Sequence, residues 1–375
     1  MRLLPSIAVL TIAFALAAPA AARGLAGRGR QAEERQAEGQ REAQGADSAI
    51  ERSAAAEKAV VVSLCVASGD VVVRGWDRPE VRARASEAAS LRLLTPNVQP
   101  APRVEVLVAE HREGEVESGD CGSTGTLELS VPRGATVNVE TRDGHVEVSD
   151  VADLRAHALS GDVDVRRISH SVEVSCLSGD ISLADSSGPA EVSTVSGNVE
   201  VRNVRASAAG DSFEAKSTSG DVMIEGITHA QVRGATVSGS VAYTGALVRG
   251  GDYDFKTISG DVTLELPANS SFSLHAKIVL SGDILTDFPV RTSAGSSAGV
   301  SSSASTSQAP GVPPVPPVGA MGVPPPPPEW KQKPGKNKPP KDKEPPGTRL
   351  DGTVGTGDAV VNLSSFSGSV YLRKR

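Results

Sequence analysis

Aromatic residues are scarce in this sequence. Phe, Trp and Tyr together account for 11 of 375 residues, although these side chains usually supply large buried areas in a globular core. We therefore expect a core of Val, Ile, Leu and Ala. The same scarcity argues against a stacking surface for single-stranded nucleic acid, and we expect no nucleic-acid partner.

An excess of positive charge is also absent. The chain has 38 Lys and Arg residues against 45 Asp and Glu residues, which gives a formal net charge of -7. No global basic field is therefore available to attract phosphate groups.

Long apolar runs are missing except within residues 1–22. Arg2 precedes this run and the small residues Ala20 to Ala22 follow it, which is the order of a secretory signal peptide. A retained membrane anchor is the alternative, but Pro19 and the Ala-x-Ala pattern favour cleavage. Since no other stretch approaches the roughly 18 apolar residues of a spanning helix, we predict an exported protein with no membrane span after cleavage. It would reside in the periplasm, at the cell surface or outside the cell.

The three cysteines are compatible with an oxidising compartment. Cys65 and Cys121 could be bridged there, whereas Cys176 shares the parity of Val172 and Val174 and is predicted to point into the core. Cys-x-x-Cys and Cys/His spacings are missing, so the sequence does not support a zinc site. We predict no cofactor.

A repeat organises most of the chain. From Ala59 onward, apolar residues alternate with polar ones, as in strands with one buried face. A Ser-Gly-Asp turn or a close variant recurs between strands, with successive glycines 17 to 23 residues apart after Gly144. Gly adopts positive φ without steric cost, and Asp tolerates the left-handed region. The turn glycines are Gly69, Gly119, Gly144, Gly161, Gly179, Gly197, Gly220, Gly239, Gly260 and Gly282.

Units of about 20 residues are too small to enclose a core and must stack on their neighbours. We therefore predict an all-β fold, a parallel β-helix (β-solenoid) with rungs of about 20 residues over residues 59–290. An antiparallel sandwich is the alternative, because Ser-Gly-Asp can also close hairpins. The steady period disfavours it, since sandwich loops vary more in length.

Two segments lack this pattern. Residues 23–58 are rich in Gln, Glu, Arg and Ala and are predicted to be a flexible charged spacer. Residues 291–347 run from Ser and Ala through polyproline to a Lys-rich end and are predicted to be a disordered linker. Strand-like sequence returns at residues 348–375, and we expect these last strands to complete the solenoid by capping its final rung. The linker lysines that could contact an anionic surface weakly are Lys331, Lys333, Lys336, Lys338, Lys341 and Lys343.

Several motifs occur in a telling order: GWDRPEV, VPRGATVNVET, serial SGDV or SGDI turns, SGDILTDFPV and a terminal SSFSGSVYLRKR. In this order they resemble the bacterial putative-adhesin β-helix domain, a family of unknown biochemical function. The resemblance covers residues 59–290 and the C-terminal strands. It implies a right-handed β-helix in an exported or membrane-linked protein. The Pro/Lys-rich insertion departs from the family pattern.

Repeated aspartates in glycine turns raise the question of calcium, which prefers oxygen ligands and binds glycine-aspartate repeats in some β-rolls. Each unit supplies only one carboxylate, and this favours a role in the turn over metal binding. The calcium candidates are Asp162, Asp180, Asp221, Asp261 and Asp283.

Catalytic patterns are weak. A Gly-x-Ser-x-Gly match from Gly295 to Gly299 lies in the linker, without the strand-to-helix turn that a serine hydrolase uses. The histidines occur singly and not at metal-ligand spacing, and we predict no catalytic residue. They are His111, His145, His157, His170, His229 and His275.

These features favour a non-catalytic, exported β-solenoid that acts as an adhesin-like interaction scaffold in the cell envelope or at the surface. Its partner would be an envelope or surface protein or a polysaccharide. The alternative is a carbohydrate-active enzyme, a lyase or hydrolase, on the same fold. Such an enzyme would need a groove with convergent carboxylates, Arg or Lys.

Overall fold

The alternating sequence forms strands that belong to one hydrogen-bonded network. A computed structural model describes residues 49–88, 90–109, 121–292 and 347–375, all within the compact unit Ala49–Arg375. The strands are β1 Ile50–Trp76, β2 Glu80–Ala85, β3 Ser90–Leu94, β4 Ala101–Ala109, β5 Gly122–Pro132, β6 Thr136–Asp143, β7 Val146–Ser149, β8 Asp153–Ser160, β9 Val163–Arg166, β10 Ser171–Ser178, β11 Ile181–Ala184, β12 Ala190–Ser196, β13 Val199–Arg202, β14 Ser212–Ser219, β15 Val222–Glu225, β16 Gln231–Ser238, β17 Val241–Thr244, β18 Asp252–Ser259, β19 Val262–Leu266, β20 Phe272–Ser281, β21 Ile284–Thr286, β22 Arg291–Thr292, β23 Arg349–Val354, β24 Val360–Ser367 and β25 Val370–Lys374.

Each central rung consists of a long strand, a Ser-Gly-Asp corner and a short strand. In one such rung, β10 leads through Gly179 into β11, and Val174 and Leu183 are both buried although their parity differs. The corner shifts the phase by one residue, so that both strands direct their apolar side chains into the same interior.

Successive rungs pair in parallel from β6 to β19. The long strands form one ladder, β6, β8, β10, β12, β14, β16 and β18. The short strands form a second ladder beside it, β7, β9, β11, β13, β15, β17 and β19. The predicted parallel β-helix is confirmed. The sandwich alternative is wrong, because in the described residues antiparallel pairs occur only near the two ends of the stack.

The C-terminal strands occupy a different place from the predicted one. Strand β24 pairs in parallel with β18 on one side and with β20 on the other, and β25 does the same with β19 and β21. The expectation that they cap the final rung is therefore wrong. They form the penultimate rung, and the antiparallel strands β23 and β22 lie beyond β20. The insertion gives the backbone of β24 a hydrogen-bonded neighbour on both edges instead of one.

The N-terminal end shows a similar rearrangement. Strands β4 and β5 pair in parallel with one side of β1, while β6 and β7 pair with its other side. Antiparallel strands β2 and β3 lie against β5 and β4. The rung formed by β4 and β5 follows β1 in the chain. In the stack it lies on the outer side of β1, and the next rung, β6–β7, lies on the inner side.

Strand β1 begins at Ile50, inside the segment predicted as a spacer. Residues Ile50 to Ala55 pair with Ala85 to Glu80 of β2 in antiparallel register. This pairing supplies backbone hydrogen bonds to a stretch with few apolar side chains, and the local sequence did not reveal it.

Aromatic side chains contribute more to the core than their number suggests. Six of them are buried in the C-terminal half of the stack, and the rings of Tyr243 and Phe255 lie 5.2 Å apart between centroids. The expectation of a purely aliphatic core is therefore wrong for this half. The buried rings are Phe213, Tyr243, Tyr253, Phe255, Phe272 and Phe288.

Candidate interaction surface

An exposed apolar row runs along the outer face of the long strands. Each member directly precedes the serine of a Ser-Gly corner, and the strand register places it beside its counterpart on the next rung. Seven members are large apolar side chains that are 42% to 57% exposed, and the eighth is Thr218. In spatial order this apolar stripe consists of Leu159, Leu177, Val195, Thr218, Val237, Ile258, Phe366 and Leu280.

The stripe is long and continuous. Neighbouring strands lie about 4.8 Å apart, so eight levels extend over about 34 Å. Contiguous apolar surface of this kind is uncommon on soluble monomers, whereas single exposed apolar residues are ordinary. The stripe is therefore the feature of the outer surface that most needs an explanation.

The corner glycines explain why the stripe faces outward. Gly220 has φ of 148° and Gly239 has φ of 146°, a region that side chains with a Cβ rarely adopt. A Cβ on Gly239 would also overlap the carbonyl oxygen of Gly220 on the rung below. The turn forced by each glycine leaves the two preceding residues, such as Val237 and Ser238, on the outside.

A buried hydroxyl column lies directly beneath the stripe. Thr236 donates from Oγ1 to the carbonyl oxygen of Gly220 at 2.9 Å, and Ser217 donates to Gly197 at 2.9 Å. Such bonds satisfy buried carbonyl groups, which are costly to leave unpaired. Equivalent donors are Thr194, Thr257 and Ser365.

Cys176 takes one place in this hydroxyl column. Its thiol is buried and lies 3.5 Å from the carbonyl oxygen of Gly161. Burial raises the pKa of this thiol, which disfavours the reactive thiolate. The structure thus places Cys176 in the core, as its parity predicts.

The turn aspartates form a column of their own, in which four of the five candidate side chains accept a hydrogen bond from the next rung. The backbone N–H of Asp180 donates to Oδ1 of Asp162 at 2.9 Å, and that of Asn198 donates to Oδ1 of Asp180 at 2.7 Å. Asp221 and Asp261 accept in the same way from Ser240 and Ser369. These bonds give the carboxylates of Asp162, Asp180, Asp221 and Asp261 a structural role.

Neutral residues interrupt the calcium candidates. Only Asp162 and Asp180 lie on adjacent rungs, because Asn198, Ser240 and Ser369 occupy the same column between the others. Among the described residues no group of three or more His, Cys, Asp or Glu side chains could hold a metal ion. The register therefore brings two of the five candidates next to each other and separates the rest.

Two adjoining grooves lie beside the N-terminal end of the stripe. The first has a volume of about 340 Å³ and includes Glu105, Glu140, Arg155 and His157. The second, of about 440 Å³, includes Leu159 and Leu177 of the stripe together with the Cys65–Cys121 disulfide. The bond that the sequence left open is thus present, and it lines the apolar groove.

A serine-histidine contact lies where the two grooves adjoin. His157 Nδ1 lies 2.5 Å from Ser175 Oγ, and Glu140 occupies the neighbouring position on the rung beyond His157. Ser175 is in the middle of β10, whose backbone pairs with strands on both sides. Its N–H neighbours are therefore committed to the sheet and do not form the donor pair that stabilises an oxyanion.

The other described histidines are held individually. His145 lies 3.4 Å from Asp164, and His275 lies 2.9 Å from Asp351. His229 is fully buried, with Nε2 2.8 Å from the carbonyl oxygen of Gly188, and burial lowers its pKa. These contacts fit structural roles for the imidazoles.

A family model matches more than half of the chain. Residues 61–309 match the model of Toastrack DUF4097. The chain belongs to the Toastrack DUF4097 family. This confirms the resemblance to an adhesin-type β-helix domain of unknown biochemical function.

Three solved structures resemble the Toastrack chain. A "putative adhesin" from Parabacteroides merdae is 10% identical with a TM-score of 0.41, covering 60% of this chain and 91% of its own. A second from Parabacteroides distasonis is 10% identical with a TM-score of 0.38, covering 60% and 92%. A "putative cell adhesion protein" from Clostridium sporogenes is 8% identical with a TM-score of 0.19, covering 88% and 100%. No curated protein matches the chain.

Several predictions fall outside the described part of the Toastrack chain. These are the signal peptide, the spacer up to residue 48, His111, the Gly295 to Gly299 match and the linker lysines. Within the described residues, no helix is long and apolar enough to span a membrane.

The apolar stripe was not predicted from the sequence, although its signal is visible there. A large apolar residue directly precedes Ser-Gly in LSGD at Leu159 and Leu177, in ISGD at Ile258 and in FSGS at Phe366. The apolar residue before Ser-Gly is hard to recognise as outward-facing in a single strand. It follows an inward residue and precedes an outward serine, so the simple alternation of apolar and polar residues breaks at this position. Aligning the units on their glycines would have revealed the row.

Proposed function

We propose that the Toastrack chain is an exported, non-catalytic interaction scaffold that binds components of the cell envelope or surface in an adhesin-like way. The observation that carries this proposal is the apolar stripe. Seven large side chains stay 42% to 57% exposed on a rigid stack, and contiguous exposed apolar rows usually mark contact surfaces.

The construction of the stripe supports a recognition role. Its backbone is fixed by corner glycines and by the hydroxyl column beneath it, so its side chains need little ordering when a partner binds. Pre-organised surfaces lose less conformational entropy on association. The lysines of the 291–347 insertion would add weak attraction to an anionic surface.

Binding to isolated envelopes of the source organism tests the proposal. The chain from Arg23 should co-sediment saturably with envelopes, and the double variant Leu177→Glu/Ile258→Glu should bind at least tenfold more weakly. Met223→Glu is the matched control, since Met223 is 45% exposed but lies on the short strand β15, away from the stripe. Equal binding by both variants and the wild-type chain would contradict a role of the stripe.

A carbohydrate-active enzyme is the second candidate function. The observation behind it is that the first groove brings Glu105 and Glu140 together with Arg155. Glu140, Arg155 and His157 are exposed and Glu105 is half-buried, whereas a carboxyl group that donates a proton at neutral pH is usually desolvated. This exposure supports the scaffold over the enzyme. Release of reducing ends or unsaturated sugars from envelope polysaccharides, abolished by Glu140→Gln, would favour the enzyme instead.

A further inference from the structure

Within the described residues, no strand covers the apolar stripe, whose large side chains stay 42% to 57% exposed. At both ends of the solenoid, antiparallel strands lie over the outer rungs: β2 and β3 at one end, β23 and β22 at the other. Such covering strands block the end-to-end stacking that an open rung invites. Association through an apolar contact is therefore directed to the side of the stack.

We propose that the occupant of the stripe is a second copy of this chain, packed face to face with its rungs in the opposite order. This inference rests on the proposed role of the stripe as a contact surface and names its partner.

A two-fold axis between the levels of Thr218 and Val237 would pair the stripe with itself. The same patch then serves both copies, as in an isologous dimer. Every position on one copy meets an apolar side chain or Thr218 on the other. The pairs are Leu159 with Leu280, Leu177 with Phe366, Val195 with Ile258, and Thr218 with Val237, each occurring twice.

The charges beside the stripe favour opposite rung order. Two outward columns lie next to the stripe, two and four residues before each member except Leu280. There a bulge in β20 places them three and five residues before it, at Lys277 and His275. On the first four levels these columns hold two cations and three carboxylates: Arg155, Lys216, Glu173, Glu191 and Glu214. On the last four levels they hold three cations and one carboxylate: Arg233, Lys256, Lys277 and Asp254.

An antiparallel pair has its two-fold axis along the strands, so the same columns face each other and the acidic half of each copy meets the basic half of the other. A parallel pair has its axis along the stack, which places these columns on opposite sides of the stripe and forms no such pairing. Complementary charge steers association and suppresses the wrong arrangement. In the column closer to the stripe, no lysine of one copy faces a lysine of the other. Lys216 faces Ala235, Lys256 faces Ser193, and Lys277 faces His157.

The contact is narrow, so we expect a dissociation constant in the micromolar range, as for small or transient interfaces. Sedimentation velocity of the chain from Arg23 through the micromolar range should show a monomer-dimer equilibrium. Leu177→Glu/Ile258→Glu should weaken it at least tenfold, and Met223→Glu should leave it unchanged. All three proteins should have the same circular dichroism spectrum, because the substituted side chains are exposed.

A cysteine pair tests the orientation. Leu159 and Leu280 lie at opposite ends of the stripe, about 34 Å apart within one chain, and no disulfide can join them there. The double variant Leu159→Cys/Leu280→Cys should oxidise to a covalent dimer, while each single variant should not. Covalent dimers from the single variants would instead indicate parallel packing and overturn the antiparallel arrangement.

A chain that stays monomeric through this range overturns the proposal. If such a monomer still binds envelopes through the stripe, the second copy is excluded while the proposed function stands. If deletion of residues 293–346 makes that monomer dimerise, this segment covers the stripe in place of a second copy. A stripe-dependent dimer that binds no envelope component would support this inference and contradict the proposed function.

Discussion

The middle of the solenoid and its two ends are built by different rules. From β6 to β19 each rung stacks on the one that precedes it in the chain. At each end one rung is placed out of chain order, β4–β5 beside β1 and β24–β25 between β18–β19 and β20–β21. Antiparallel strands then cover the outside. A local repeat is thus sufficient to propagate the stack, whereas its termination requires pairing over long sequence distances.

The largest expected loss of stability comes from a substitution in the middle of the solenoid. Gly220→Ala should destabilise the fold by about 3–5 kcal/mol, because Ala is strained at this positive φ and its Cβ overlaps the carbonyl oxygen of Gly197. Gly210→Ala is the control, since a Cβ added there would meet no atom within 4 Å. Urea unfolding measures both. Similar stability of the two variants would show that the glycine column is not required.

The next largest loss of stability is expected from a substitution at the C-terminal end of the solenoid. Leu363→Ala removes a buried side chain of β24 and should cost about 2–4 kcal/mol. Because β24 pairs with both β18 and β20, hydrogen exchange should accelerate in both strands. Faster exchange in β20 alone would mean that the C-terminal strands lie outside the final rung after all.

The disulfide distinguishes the N-terminal end from the C-terminal one. Cys65→Ser/Cys121→Ser opens a link across 56 residues of sequence separation and should lower the free energy of unfolding by about 2–4 kcal/mol. Thermal melting of oxidised wild-type and variant chains measures the loss. An unchanged melting temperature would indicate that strand pairing alone holds β1 against β5.

The smallest effect sharpens the description of the middle. Thr236→Val keeps the shape of a buried side chain but removes its bond to the carbonyl oxygen of Gly220, and we expect a loss of about 1 kcal/mol. Cys176→Thr should cause no loss, because Thr is the donor that other rungs use at this position. Chemical denaturation of the two variants side by side measures the difference. The hydroxyl column would be dispensable if Thr236→Val matched wild type.

Much of the middle could be predicted from the sequence. The alternation around Val172 and Val174, the glycine at each corner and the inward parity of Cys176 depend on neighbours within one repeat unit. The order of rungs at the ends could not be predicted. Val361 and Leu363 have the pattern of any other rung, and nothing local indicates that β24 enters between β18 and β20.

The candidate surface was predictable only in part. The aspartate turns were evident, and the structure adds that Asp162 and Asp180 accept hydrogen bonds from the next rung. The apolar stripe required the register, because Phe366 and Leu280 are 86 residues apart in sequence yet lie on adjacent rungs.

The glycine period and the alternation of apolar residues determined by themselves that this chain stacks short strands into a solenoid. The physical reason is local: positive φ and two-residue periodicity act within one unit. Only the tertiary structure decided which rung lies next to which at the ends, and how the side chains before each Ser-Gly corner align into one stripe. Those outcomes depend on hydrogen bonds and burial between segments far apart in the chain, which no local pattern encodes.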